Sequence, residues 1–158
     1  MVDVDTLRSL APGVDVTEAF NDMLDGWNRT MGLRFTRVTS EEVVAELTID
    51  ERHRQPYGLV HGGVYCGMIE TVASVGAALD ALSRGQSTVG LDNHTSFLRA
   101  TREGRLQVTA RAITRGRRTQ LWEGTVTDDA GRAVASGRVR MICLDPGTAL
   151  AGETVAVK

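Results

Sequence analysis

Residues 61–82 read HGGVYCGMIETVASVGAALDAL, and this stretch decides the fold. Apolar and small residues fill almost every position, and their spacing predicts one long helix. A helix that is apolar nearly all round must be covered on most of its sides, so other elements have to surround it. The stretch therefore predicts a central helix inside a curled sheet.

The segments around this helix alternate apolar and polar residues with the period of two that is typical of strands. Strands are predicted at residues 33–38, 43–49, 88–98, 106–113, 120–127 and 133–144. Short joints connect the last four, which makes them antiparallel neighbours. Before the first strand, Thr17 is expected to N-cap a helix that runs to about Met31. The order predicts an α+β hotdog fold: an antiparallel sheet of about six strands curled around one long central helix.

The chain has 158 residues, a length that fits one domain. We predict a flexible leader at 1–16, one domain at 17–145 and a flexible tail at 146–158. The net charge of −2 excludes the basic surface expected of a nucleic-acid-binding protein. The two cysteines, Cys66 and Cys143, lie too far apart in the sequence for a CxxC pair, so no metal site is expected.

The N-terminal segment is acidic and lacks the basic and apolar regions of a signal peptide. The most apolar stretch, Val64 to Leu79, contains Glu70 and is expected to be too short to span a bilayer. We therefore predict a cytoplasmic protein that does not bind a membrane.

A helical wheel divides the long helix into a face of small residues and a face of large ones. Glu70 lies on the small face, which we expect to be open to a ligand, a partner subunit or both. The small residues are Gly63, Cys66, Gly67, Ala73, Ser74, Ala77 and Ala81. The large residues, which we expect to fill the core, are Val64, Tyr65, Met68, Val72, Val75 and Leu79.

Glu70 is the only charged residue between Val64 and Leu79. A carboxylate on an apolar helix is costly to bury unless it is paired, protonated or next to a wet cleft. It is therefore either a structural carboxylate, paired with an arginine for example, or a functional one. Ser74 follows one turn later and could hold a water or hydroxyl group beside Glu70.

His61, Gly62 and Gly63 stand where the helix begins. Two glycines allow a ligand to approach the backbone and leave free N–H groups at the positive end of the helix dipole. Such a pair of donors can stabilise an oxyanion. The alternative is a glycine-rich turn without a role in chemistry.

Two other polar segments are weaker candidates. The strand residues Asn93, His94, Thr95 and Ser96 are typical of a strand that lines a cleft or an interface. The predicted hairpin tip with Arg117, Arg118 and Thr119 could bind phosphates, although a solvated turn fits the same residues.

The segment QPYGLVHGG at 55–63, followed by Tyr65, Cys66 and Glu70, resembles the hotdog acyl-CoA thioesterases. Within these it is similar to the PaaI-type branch, which includes Arthrobacter-type 4-hydroxybenzoyl-CoA thioesterases and 1,4-dihydroxy-2-naphthoyl-CoA thioesterases. The similarity continues through NHTSFLR at 93–99 and DDAGR at 128–132, so it covers roughly residues 20–144.

The resemblance implies a role for each matching residue. Glu70 matches the catalytic carboxylate, which acts as nucleophile or as general base, and the Gly62 N–H matches the donor to the thioester carbonyl. Gln55 and His61 match residues that orient the thioester and the thiolate, and Ser74 matches the residue that positions water. CoA phosphates would be held by Arg99, Arg117, Arg118 and Thr119.

The resemblance also implies an acyl-CoA substrate, no cofactor, and a homodimer, commonly a homotetramer, with each site at the dimer seam. Two other functions stay open at this point. One is an acyl-thioester hydratase or dehydratase on the same fold, and the other is a non-enzymatic module that binds acyl-CoA.

Overall fold

Six antiparallel strands curl around one long helix in the computed structural model, which describes residues 13–155. The helices are α1 (Thr17–Asp22), α2 (Gly26–Thr30) and α3 (Gly62–Leu82), and a 3-10 helix spans Glu51–His53. The strands are β1 (Arg34–Val38), β2 (Glu42–Thr48), β3 (Ser87–Phe97), β4 (Arg105–Arg115), β5 (Thr119–Thr127) and β6 (Ala133–Leu144), with two short strands, β7 (Ala149–Leu150) and β8 (Glu153–Thr154). The predicted fold is confirmed.

The order of strands in the sheet is β1-β2-β4-β5-β6-β3, and every neighbouring pair is antiparallel. Helix α3 packs against β2, β3, β4, β5 and β6. Because β3 pairs only with β6, it forms one edge of the sheet. The prediction that the short joint after β3 makes β3 and β4 neighbours is therefore wrong, whereas β4, β5 and β6 are antiparallel neighbours as predicted. The sheet therefore surrounds α3 and ends at β3 on one side.

Alternation of buried and partly exposed residues explains why the sheet has a single core face. On β2, Val43, Ala45 and Leu47 are buried, whereas the residues between them are partly exposed. The largest buried side chain, Trp122 of β5, packs against Gly76 of α3, where a Cβ atom would lie 2.4 Å from the indole ring. A glycine at this position lets the helix approach the sheet closely.

The prediction of one continuous helix from Thr17 to Met31 is wrong, because the structure has two short helices, α1 and α2, in this segment. The chain bends at Gly26, whose φ of +55° is a conformation that glycine adopts at little cost. Thr17 is the first residue of α1 rather than its N-cap, and its N–H donates to Oδ1 of Asp15 at 2.9 Å. The bend lays α2 against α3, where Thr71 Oγ1 donates to Asn28 Oδ1 at 2.8 Å.

The small face of α3 is open only in its N-terminal half, which corrects the prediction for the whole face. Ala73, Ala77 and Ala81 are fully buried. They are buried because the sheet closes over this end of the helix, where the side chain of Gln120 donates to the carbonyl of Ala77 at 3.2 Å. On the opposite face, Val75 is only partly buried. The exposed stripe of α3 thus consists of Gly63, Cys66, Gly67, Glu70 and Ser74.

Most of the predicted leader lies outside the described residues, whereas most of the predicted tail lies among them. Residues 1–12 and 156–158 lie outside the described residues, whereas the N–H of Val16 donates to the carbonyl of Val38 beside β1. Strands β7 and β8 form a small hairpin within the segment predicted as a tail.

The expectation that the apolar stretch is too short to span a membrane is wrong on length. Helix α3 has 21 residues and is long and apolar enough for such a span, but half of the relevant window is buried inside the protein. A central helix surrounded by a sheet needs the same apolar composition as a membrane helix.

Candidate active site

Glu70 lies on the exposed stripe of α3 with its carboxylate held by two neutral donors. Nδ2 of Asn93, on β3, donates to Oε2 at 2.9 Å, and the hydroxyl of Ser74 donates to Oε1 at 3.4 Å. The amide of Asn93 is itself fixed, because Nδ2 also donates to the Cys66 carbonyl at 3.1 Å and Oδ1 accepts from Thr95 Oγ1 at 2.7 Å. The edge strand β3 therefore orients the carboxylate.

Glu70 is not paired with an arginine of the described chain. Among the ion pairs formed within residues 13–155, none includes this carboxylate. Its two donors leave further lone pairs on the oxygens, and the side chain is only partly buried. This arrangement disfavours the structural alternative of a carboxylate paired with an arginine, and it suits a nucleophile or a general base.

Gly90 of β3 brings the backbone of the edge strand up to the same carboxylate. A Cβ atom at this position would lie 2.7 Å from Oε1 of Glu70. The register of β3 against β6 shifts directly after Gly90, as in a β-bulge. Glycine here allows the carboxylate to lie close to the strand.

At the N-terminus of α3, only one of the two predicted oxyanion donors is free. The Gly63 N–H donates to Nδ1 of His61 at 2.9 Å, so His61 is the N-cap of the helix. The Gly62 N–H makes no hydrogen bond to any part of the described chain. The expectation of a pair of free donors is therefore corrected to one, the Gly62 N–H at the positive end of the dipole.

The capping bond also determines which nitrogen of His61 carries the proton. Because Nδ1 accepts a hydrogen bond from Gly63, the neutral ring is protonated at Nε2. His61 is exposed, so Nε2–H is a donor available at the entrance of the helix.

A cleft of about 340 Å³ adjoins the Gly62 N–H. Gln55 lines it with its backbone fixed in a tight turn, where Gln55 N donates to the Leu59 carbonyl at 2.8 Å and Oε1 accepts from the Tyr57 N–H. Arg99 also lines the cleft and is exposed. The structure therefore brings three of the predicted site residues, Gln55, Gly62 and Arg99, into one cleft.

Two aromatic side chains form the apolar part of this cleft. The ring of Phe97 lies over Gly62, where a Cβ atom would be 2.6 Å from it. The hydroxyl of Tyr65 is hydrogen-bonded to Thr101, and burial raises the pKa of this hydroxyl above its usual value. Tyr65 therefore stays neutral and contributes packing rather than charge.

The predicted phosphate-binding residues are divided between the two ends of α3. Arg117, Arg118 and Thr119 are exposed at the β4–β5 hairpin tip, and the Arg117 carbonyl accepts from Gln86, just beyond the C-terminus of α3, at 3.3 Å. Arg99 lies at the other end of the helix. A helix of 21 residues is about 32 Å long, so one chain does not bring the tip to the cleft.

Comparisons with known proteins agree with this geometry. The model of the thioesterase superfamily matches residues 57–135. A Mycobacterium tuberculosis protein, named provisionally as an esterase, is 44% identical over 113 residues, which cover 70% of this chain and 81% of that protein. The 1,4-dihydroxy-2-naphthoyl-CoA hydrolase of Escherichia coli is 32% identical over 124 residues, covering 77% of this chain and 90% of the hydrolase. The chain belongs to the thioesterase superfamily.

Solved structures support the same assignment for this thioesterase. A thioesterase of Haemophilus influenzae superposes with a TM-score of 0.79 at 25% identity, covering 85% of this chain and 94% of that one. The hotdog thioesterase resemblance is thus confirmed, and so is the prediction of a thiolester hydrolase. Neither a hydratase nor a non-enzymatic module is needed to explain the chain.

The thioesterase has two site residues that were not among the predicted ones, Asn93 and Gly90. Asn93 belongs to a polar strand segment predicted to line a cleft, but the sequence did not connect it with Glu70. An isolated glycine inside a strand pattern is a signal for a bulge or a close approach, and Gly90 carried that signal. Within residues 13–155, no group of three or more potential metal ligands occurs.

Proposed function

We propose that this thioesterase hydrolyses an acyl-CoA thioester to a free acid and CoA, as a member of the PaaI-type branch. The observation that carries the proposal is the Glu70 carboxylate, oriented by Asn93 and Ser74 but not neutralised. It lies two helical turns after the free Gly62 N–H. A nucleophile or base and an oxyanion donor are the two groups that acyl transfer requires.

The Gly62 N–H would donate to the thioester carbonyl oxygen. As negative charge develops on that oxygen, the N–H and the helix dipole stabilise it. Phe97, which covers Gly62, and Tyr65 exclude water from one side of this position. A drier site strengthens the hydrogen bond to the developing charge.

Glu70 would attack the carbonyl carbon or remove a proton from a water that attacks it. In the first case an oxygen of Glu70 bonds to the carbon, the C–S bond breaks, CoA leaves as a thiolate, and water then hydrolyses the anhydride. In the second case the water oxygen bonds to the carbon while Glu70 takes a proton from that water, and the C–S bond then breaks so that CoA leaves as a thiolate. Ser74, whose hydroxyl contacts Glu70, can hold that water in either case.

Gln55 and His61 would orient the substrate with the donors that the structure leaves free. The Gln55 side-chain oxygen is occupied by Tyr57, so its NH₂ group is the part that can turn to the thioester. His61 offers Nε2–H because Nδ1 caps the helix. A donor near the sulfur stabilises the departing thiolate.

A second copy of the chain would complete the CoA site, and we propose a homodimer that commonly forms a homotetramer in the cytoplasm. The free edge of β3 can pair with the same edge of another copy, and the exposed Leu91, Phe97 and Leu98 would be covered there. A two-fold axis that pairs these edges reverses the second α3. The hairpin tip of the second copy, with Arg117, Arg118 and Thr119, then lies toward the N-terminal end of this α3, near Arg99.

The acyl group is proposed to be aromatic or fatty. A relative that is 32% identical is named a 1,4-dihydroxy-2-naphthoyl-CoA hydrolase, which supports an aromatic acyl group. The exposed stripe of α3 carries small residues and leaves room for either class.

CoA release, measured by thiol trapping, tests the proposal. Wild type is compared with Glu70→Gln on benzoyl-, 4-hydroxybenzoyl-, dihydroxynaphthoyl-, phenylacetyl- and medium- and long-chain acyl-CoAs. We expect Glu70→Gln to lower kcat by about 10²–10⁴-fold, the usual cost of losing a general base. Glu123→Gln is the matched control, because Glu123 is an exposed glutamate of β5.

Each other outcome contradicts a different part of the proposal. Equal release by wild type and Glu70→Gln would remove Glu70 from the chemistry. A changed acyl chain without free CoA would indicate a hydratase or dehydratase. Tight binding of acyl-CoA without any release would indicate a non-enzymatic binding module.

A further inference from the structure

Trp27 of α2 lies directly on the backbone of α3 at Gly67. A Cβ atom on Gly67 would be 2.0 Å from the nearest ring atom of Trp27, so only glycine permits this contact. Helix α2 is fixed in place by the hydrogen bond from Thr71 to Asn28, the residue after Trp27. Although it is anchored this way, Trp27 remains 47% exposed.

The Glu70 carboxylate leans back along α3 toward the Cys66 carbonyl, one turn before it. Side chains on a helix point toward its N-terminus, and Asn93 confirms the direction because one amide group bonds both Glu70 and the Cys66 carbonyl. Gly67 is three residues before Glu70, and residues at this spacing are neighbours on a helix surface, about 5–6 Å apart. Trp27 therefore lies on the surface of α3 at the position next to Glu70.

These contacts place Glu70 on the surface of α3 between two neighbouring elements. One is β3, with Gly90 and Asn93, and the other is α2, with the indole ring of Trp27. Trp27 is the aromatic residue that the structure places along this stripe, because Phe97 and Tyr65 lie at the cleft near Gly62.

We propose that Trp27 is a specificity-determining residue: its ring forms the wall against which the acyl group lies, and it favours a flat aromatic acyl group over a saturated one of the same size. This inference rests on the proposed function, because it needs the thioester carbonyl to be at Glu70. A flat ring can stack on the indole or meet its edge, and such aromatic pairs correspond to about 2- to 12-fold in affinity or rate. A saturated ring buries a similar area but lacks this electrostatic fit.

The first test uses benzoyl-CoA and cyclohexanecarbonyl-CoA, which differ in flatness but little in size. The measured quantity is the ratio of the two kcat/KM values. We expect Trp27→Leu to lower the benzoyl preference about 2- to 12-fold, and Trp27→Phe to retain most of it. Leu150→Ala is the control, because Leu150 is a similarly exposed apolar side chain on β7, away from α3. An unchanged ratio in Trp27→Leu would overturn the proposal.

Gly67→Ala tests whether the position of the ring matters. As a single substitution, Gly67→Ala places a methyl group where the Trp27 ring lies, so the ring moves and the benzoyl preference should fall. When Gly67→Ala is added to Trp27→Leu, the benzoyl preference should not fall below that of Trp27→Leu alone. An equal loss in both backgrounds would show that Gly67 acts without Trp27 and would count against the proposal.

Tryptophan fluorescence separates the failure of this inference from the failure of the proposed function. The protein has two tryptophans, and Trp122 is fully buried in the core, so Trp27 is the one that a ligand can reach. Benzoyl-CoA at saturation, with binding verified by calorimetry, should change the emission of Glu70→Gln. The change should be absent with CoA alone and absent in Glu70→Gln/Trp27→Phe.

The combined outcomes are distinct. If wild type hydrolyses acyl-CoA but saturating benzoyl-CoA leaves the emission unchanged, the proposal for Trp27 is overturned and the proposed function stands. If the emission changes but wild type releases no CoA, Trp27 contacts the acyl group and the proposed hydrolysis falls. Absence of binding to any acyl-CoA would overturn both.

Discussion

The two halves of helix α3 carry similar small residues and use them in opposite ways. In the N-terminal half, Gly63 is exposed and Gly67 and Glu70 are partly exposed, with Trp27 of α2 against Gly67 and β3 against Glu70. In the C-terminal half, Ala77 and Ala81 are fully buried under the sheet. A small residue therefore indicates close approach of a neighbour, but it does not tell whether the neighbour is a ligand or the protein's own core.

In each half of α3, one side-chain amide from the sheet contacts the helix: Asn93 in the N-terminal half and Gln120 in the C-terminal half. The first lies at the site, and the second lies in the core. Asn93 donates to Glu70 and leaves the carboxylate with free lone pairs. Gln120 is buried and fully engaged: it accepts from Trp122 Nε1 at 2.8 Å and donates to Asp80 Oδ2 at 3.0 Å and to the Ala77 carbonyl. The Asn93 amide orients a reactive group, whereas the Gln120 amide satisfies buried polar groups in the core. This difference can be tested with matched variants.

Among the variants that test this difference, Asn93→Leu is expected to have the largest effect, and the effect is on catalysis. Without its amide, the Glu70 carboxylate loses its orientation, and misplacement of a reacting group by about 1 Å can cost about 10²-fold. We expect kcat for CoA release to fall by about 10- to 100-fold, while the urea midpoint of unfolding changes little. A variant with wild-type kcat would show that β3 does not orient Glu70.

Gln120→Leu should have the opposite profile. It leaves the buried Trp122 N–H without an acceptor, and an unsatisfied buried donor costs about 1–3 kcal/mol. We expect the free energy of unfolding in urea to fall by that amount, with kcat/KM within about threefold of wild type at a temperature where the variant is folded. If Gln120→Leu and Asn93→Leu lose activity equally, the division of the helix into two halves is wrong.

Two glycine substitutions compare the tryptophans that pack on α3. Inside a helix, alanine is more favourable than glycine by about 1 kcal/mol of stability, and this contribution is the same at both positions. Gly76→Ala forces a methyl group against the buried Trp122, and overpacking costs typically about 1–3 kcal/mol. Gly67→Ala meets Trp27, which is half exposed and can move. Thermal unfolding should show Gly76→Ala as less stable by about 1–2 kcal/mol than Gly67→Ala; the reverse order would contradict the packing described.

The smallest effect is expected from Ser74→Ala. Its hydroxyl lies 3.4 Å from Oε1 of Glu70, at the long end of the hydrogen-bond range. We expect kcat to fall only a few fold, with KM unchanged, because Asn93 still holds the carboxylate. A loss as large as that of Asn93→Leu would contradict the expectation that Asn93 is the main group holding the carboxylate.

The sequence by itself determined the central helix, the six strands around it and the position of Glu70 and Gly62 on that helix. These features follow from local periodicity, because apolar residues repeat with different periods in a helix and in a strand. A single carboxylate among apolar residues can likewise be recognised from the order of the residues. The two glycines at the start of the helix, Gly62 and Gly63, indicated a helix N-terminus that a ligand can approach, and this too can be recognised from the order of the residues. The motif around them was specific enough to give the family.

Only the tertiary structure decided which of these residues meet. The helix predicted for 17–31 breaks at Gly26 because α2 has to lie against α3, a contact between distant segments. Asn93 reaches Glu70 because β3 crosses to the far edge of the sheet, and His61 occupies the Gly63 N–H because the loop folds back on the helix. Closure of the sheet over Ala77 and Ala81, but not over Glu70, depends on the curvature of six strands together. Periodicity along the chain records which face of an element is apolar, but it does not record which neighbour covers that face.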